Sequence, residues 1–104
     1  MLFAVSVFQD NDVTRKDADA AWTEMDAKAF GTTLRRLRHE QGLSQETLAF
    51  TAGITKNQVQ LLEAGRASGV KDSVGSSNPR ISTLAGLARV LGMSVSKLLG
   101  QAGL

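Results

Sequence analysis

The chain has 104 residues, 42% of them apolar, with one histidine, His39, and no cysteine. That length fits one small domain carrying an arm, and the missing thiols exclude a disulfide framework, a thiolate zinc site and cysteine catalysis. The net charge of +2 hides an asymmetry: residues 1–27 hold six acids against Arg15 and Lys16, while residues 28–104 hold ten Lys/Arg against Glu40, Glu46, Glu63 and Asp72.

Residues 1–27 read as an acidic N-terminal arm. Leu2, Val5, Val7 and Phe8 form a short β-leaning apolar stretch, and Gln9-Asp10-Asn11-Asp12 follows it. Thr14-Arg15-Lys16-Asp17 fits a capping box opening a helix through Ala18–Trp22 that runs on toward the body. Met25 would make an ordinary domain start, which leaves residues 1–24 a misassigned start or a passive tail, or else an oligomer contact made by their apolar stretch. Met1–Phe8 has no basic leader and no cleavage site, and no apolar run approaches the roughly 20 residues needed to cross a bilayer. The expectation is a soluble, cytoplasmic protein.

From Lys28 onward the helical signal is clear. Phe30, Leu34 and Leu37 recur at i, i+4, i+7, one face of a helix, with Arg35, Arg36 and His39 toward water. Gly42 ends that helix as a glycine just past its last turn. Ser44 caps a second helix with stripe Leu48, Ala49, Ala52, and Gly53 ends it. Thr55 caps a third, with Val59 and Leu62 inward, and Gly65 ends it. Residues 66–78 are rich in Gly and Ser and read as a mobile loop. Ser82 is expected to cap a fourth helix, on Leu84, Leu87, Ala88 and Leu91; Ser94 caps a fifth with Val95, Leu98 and Leu99. The fold class is an all-α bundle of five helices, residues 28–104, behind the arm.

Only Gly53 and Ile54 separate the second helix from the cap of the third. A turn that short prevents antiparallel stacking and forces a steep crossing, the geometry of a helix-turn-helix. A turn residue of positive φ needs a glycine there, and Ala49 must be small where the third helix crosses. Lys56, Asn57, Gln60 and Leu61 are left on the outer face of the third helix.

The run Leu34-Arg35-Arg36-Leu37-Arg38, Gly42-Leu43-Ser44-Gln45-Glu46-Thr47-Leu48-Ala49, Ala52-Gly53-Ile54-Thr55, Val59 and Leu62-Glu63-Ala64-Gly65-Arg66 resembles the Xre / lambda-repressor-like (Cro-type) helix-turn-helix family. Asn78–Leu84, Leu87-Ala88 and Leu91–Leu99 resemble that family's fourth and fifth helices, so the likeness spans about residues 28–100. The resemblance implies that Thr55, Lys56, Asn57, Gln60 and Leu61 read base edges, with Lys suited to guanine O6/N7 and Asn to adenine N6/N7; Leu61, in place of a polar residue, suits a thymine methyl or the core. It implies backbone or minor-groove contacts from Gln45, Arg66 and Arg80, with Lys71 in the loop between those arginines. It implies a buried structural bridge between Arg38 and Glu63.

The function expected is sequence-specific DNA binding by a transcriptional regulator, a homodimer reading an inverted repeat of double-stranded DNA. The dimer surface is expected on the fifth helix (Val95, Leu98, Leu99, Leu104), with the arm as second choice. The alternative is an antitoxin-like interaction module whose arm engages a protein partner, DNA binding being secondary. No base, nucleophile or metal cluster supports an enzyme, and no cofactor or membrane contact is expected.

Overall fold

The computed structural model describes residues 21–69 and 75–104. Among these lie five α-helices: α1 (Glu24–Glu40), α2 (Gln45–Ala52), α3 (Lys56–Ala64), α4 (Ile81–Leu91) and α5 (Val95–Gln101). The expected strand and capping box of residues 1–20, and Lys71, lie outside the described residues.

The first helix opens at Glu24, four residues before the boundary expected at Lys28. Thr23 sets that start: its side chain accepts from the Asp26 N–H, and Asp26 accepts from the Thr23 N–H. Such a reciprocal cap satisfies two N–H groups that a helix leaves without internal partners. Thr23 is extended (φ −96°, ψ 173°), so Trp22 ends no helix running into the body. Its indole instead meets Phe30 edge to face, centroids 6.4 Å apart.

Ser44, Thr55 and Ser94 cap α2, α3 and α5 as their spacing predicts, each accepting from the backbone N–H three residues on. The fourth helix differs. It begins at Ile81 after Arg80, with no side-chain cap, so Ser82 falls inside the first turn and caps nothing. Arg80 is the residue in extended conformation (φ −73°, ψ 157°), and its carbonyl already accepts from the Leu84 N–H; the chain thus turns helical before Ser82 is reached.

The core is one cluster drawn from all five helices, with Phe30, Leu34, Leu48, Val59, Leu87 and Leu98 fully buried. Each such side chain contributes about 1.5–3 kcal/mol relative to exposure. The helix α1 packs on α3, α2 on α3 and α4, and α4 on α5. Two glycines permit the closest approaches. A Cβ on Gly31 would press on the backbone carbonyls of Leu62 and Glu63, and one on Gly86 on that of Ala52. These contacts set the spacing of α1 against α3 and of α4 against α2.

Leu98 corrects one expectation: it fills the core and is unavailable as a dimer surface. Val95 and Leu99 are half-buried, and Leu104 is exposed.

Candidate nucleic-acid interface

The turn between α2 and α3 has the geometry its length demands. Gly53 adopts φ 82°, and the Ile54 N–H returns to the Ala49 carbonyl at 2.9 Å. The left-handed glycine reverses the chain without a Cβ clash, and Ile54 tucks against the core. Thr55 then starts α3 through a reciprocal cap with Gln58. Its hydroxyl is therefore engaged by its own helix, although Thr55 lies among the residues expected to read bases.

Beneath α3 sits a buried polar cluster. Arg38 donates from Nε to Glu63 Oε2 at 2.6 Å and from Nη2 to Oε1 at 3.0 Å, a two-pronged ion pair; Nη1 donates to the Leu43 carbonyl at 2.9 Å. The two side chains are 9% and 5% exposed. The hydrogen bond to Glu63 pushes the Arg38 pKa above its ordinary value, burial opposes that shift, and the charge of Glu63 adds to it. Gln45, the first residue of α2, donates its side-chain amide to Glu63 Oε1 at 3.0 Å. One carboxylate thereby ties α1, α2 and α3 together, the kind of fully partnered network that fixes geometry in a low-dielectric interior.

The Gln45 amide gives one N–H to Glu63 and carries a second, next to the N–H groups of the α2 first turn.

On the outside of α3, Lys56, Asn57 and Gln60 are exposed and make no side-chain hydrogen bond among the described residues. Leu61 is half-buried. The helix is flanked by two open depressions. One, of about 450 Å³, is lined by Arg35, Arg38, Gln45, Gln60, Glu63 and Ala64. The other, of about 630 Å³, runs between Leu61 and the segment that leads into α4, and includes Arg66, Asn78, Arg80, Ser82 and Thr83. The structure thus groups Gln45 with Gln60, and Leu61 with Arg66 and Arg80.

The first turn of α4, at the second depression, carries no acidic residue and no side-chain cap. Its N–H groups keep the positive end of the helix open toward an anion.

Sequence reasoning left Arg35 as a solvent-facing residue and did not group it with Gln45 and Gln60. It precedes Arg38 by three positions, a spacing that puts both on one helix face, and it borders the depression shared by Gln45 and Gln60. The loop expected to be mobile is tied at both described ends. Arg66 and Ser76 form an antiparallel bridge, the Ser77 N–H donates to the Gly65 carbonyl at 3.1 Å, and the Ala67 N–H to that of Gly75 at 3.4 Å. Among the described residues no group of three or more His, Asp or Glu could hold a metal ion, and no helix is long and apolar enough to cross a membrane.

Comparison with known proteins agrees with this geometry. Residues 29–98 match the family described as a helix-turn-helix domain. The HTH-type transcriptional regulator y4dJ of Sinorhizobium fredii, itself uncharacterised, is 36% identical over 67 residues, 64% of this chain and 74% of the relative. The restriction-modification controller protein C.AhdI of Aeromonas hydrophila superposes with a TM-score of 0.59 at 34% identity, over 70% of this chain and 96% of that one. The clp gene regulator ClgR of Corynebacterium glutamicum superposes at 0.62 with 26% identity, over 75% and 72%.

Proposed function

The chain belongs to the helix-turn-helix family of DNA-binding transcriptional regulators, and from that premise we propose that it acts as a homodimer reading an inverted-repeat operator through the major groove. One observation carries the reading: α3 presents Lys56, Asn57 and Gln60 to solvent without partners among the described residues, while its inner face is locked by the Arg38–Glu63–Gln45 cluster. A rigid helix with unspent donors at its N-terminal end is what base-edge recognition needs. Lys56 offers donors to guanine, Asn57 a donor and an acceptor to adenine, and Gln60 reaches one turn further.

Phosphates on either side are held by what flanks α3. Arg35 and the start of α2 serve one strand; Arg66, Arg80 and the uncapped start of α4 serve the other. Val95 and Leu99, four residues apart on α5, with exposed Leu104, supply the dimer surface. A two-fold dimer would set two copies of α3 about 34 Å apart, one turn of duplex.

Selection from a random duplex pool, followed by the mass of the protein–DNA complex, tests this. An enriched inverted repeat binding two chains is the expected result. Enrichment of a single asymmetric site binding one chain, or no enrichment at low salt, overturns it.

A further inference from the structure

We infer that Trp22 is a positioning residue for DNA binding, acting as a strap that holds the chain at Ser77, between α3 and α4, against α1 and so fixes Arg66 and Arg80 relative to the reading helix. The inference rests on the DNA-binding reading above and extends it to a residue outside the helix-turn-helix. The indole Nε1 donates to the Ser77 carbonyl at 2.7 Å, across 55 residues of sequence. The ring is itself held by Phe30, edge to face, and Phe30 is fully buried in α1.

Ser77 is the point at which a strap has most leverage. It is 4% exposed, yet its hydroxyl has no hydrogen-bond partner among the described residues, so its own side chain does not anchor it. What holds it is backbone: its N–H on the Gly65 carbonyl and its carbonyl under the Trp22 indole. Ser76, just before it, bridges Arg66, and Arg80 lies three residues beyond it. The α1 backbone at Lys28 sits directly against Gly65, so the start of α1 forms the floor under the same loop. Trp22 and Thr23 both precede Met25, and both take part in this floor.

A strap of this kind predicts a particular pattern of loss. The loop carries contacts to the phosphate backbone, which position the protein and carry the salt dependence, whereas base edges are read by α3. Weakening the strap therefore lowers affinity equally on preferred and unrelated sequences and leaves the preference intact. A purely structural tryptophan would lower the melting temperature without touching the salt slope.

The test uses the full chain and its Trp22→Phe variant, which keeps a ring against Phe30 and removes the indole N–H. Binding is measured over a range of salt on the duplex enriched by selection and on a scrambled duplex. The expected result is a loss of about fivefold on both duplexes, the worth of one hydrogen bond, an unchanged ratio between them, and a log–log salt slope shallower by about one per chain. Equal affinity and slope for variant and wild type, or a loss confined to the preferred duplex, overturns the inference. Failure of the wild type to bind either duplex instead overturns the DNA-binding reading, and this inference with it.

A second readout needs no variant. Trp22 is the only tryptophan in the chain, so acrylamide quenching of its emission reports the strap directly. Duplex binding should reduce that quenching; unchanged quenching at saturating duplex counts against coupling between strap and loop.

Discussion

Gln45 and Glu63 are joined by a 3.0 Å hydrogen bond from the Gln45 amide to Oε1, the same oxygen that Arg38 Nη2 engages at 3.0 Å. The first residue of α2 and the inner face of α3 thus share one buried anchor. Orientation of the two helices is set by chemistry under the interface, independently of DNA.

Removing that anchor should be costly. Glu63→Ala leaves a buried guanidinium with only the Leu43 carbonyl as partner, and breaking a buried pair from one side costs about 3–5 kcal/mol. Chemical denaturation should show a loss of that size. A variant as stable as wild type would mean the pair contributes nothing to the fold.

The same pair should be insensitive to mild alkali from the arginine side. The Arg38 pKa is raised by its hydrogen bond to Glu63, so its contribution is fully present below the ordinary arginine value and is lost only as pH rises through the raised one. The stability gap between wild type and Glu63→Ala should therefore stay constant from about pH 7 to about pH 9, far below any arginine pKa. A gap that closes within that window contradicts this role for the bridge.

Thr55 separates capping from reading. Thr55→Ala removes one half of the cap with Gln58 and should cost about 1 kcal/mol. Thr55→Ser keeps the hydroxyl and should leave both stability and sequence preference near wild type. A changed preference in the serine variant would show that the Thr55 methyl touches a base.

Gly86→Ala tests the helix crossing. Its new Cβ would lie closer than 3.0 Å to the Ala52 carbonyl, between rigid backbones that have no flexible side chain to yield. Overpacking of this sort costs about 1–3 kcal/mol. The melting temperature should fall accordingly; an unchanged melt would mean that α2 and α4 can separate freely.

Much of the fold is legible in the sequence, and the reasons are local. The helices α2, α3 and α5 announce themselves because Ser44, Thr55 and Ser94 precede apolar stripes and Gly53 and Gly65 follow, so cap, periodicity and stop agree. The Gly53-Ile54 turn fixes the crossing because nothing longer is available. The pairing of Arg38 with Glu63 comes from family resemblance, since 25 residues separate them and no periodicity links them. What the sequence hides depends on contacts distant along the chain. The Trp22 bond to Ser77 has no sequence signature, and neither does the need for Gly31 beneath α3. The start of α1 is obscured for a different reason: Thr23-Glu24-Met25-Asp26 is itself a capping signal, but a similar one at Thr14 competes with it. At α4 the presence of Ser82 misleads, because a capping residue type inside the first turn looks the same in sequence as one just before it.

Arg35, Arg66 and Arg80 should behave as backbone contacts. Each alanine variant should weaken binding to preferred and scrambled duplexes by the same factor and reduce the salt slope by about one. A variant that loses preference while keeping its slope would move that arginine from the phosphates to a base edge.

Sequence reading by the outer face of α3 is tested most directly by combining Lys56→Ala with Asn57→Ala. Affinity of the double variant would be measured on the selected duplex and on a scrambled one, alongside its melting curve. The expected result is an unchanged melt and a preference that collapses, each lost base contact removing about 1–3 kcal/mol of discrimination. A folded double variant that still prefers the selected duplex as strongly as wild type would place sequence recognition elsewhere on the chain.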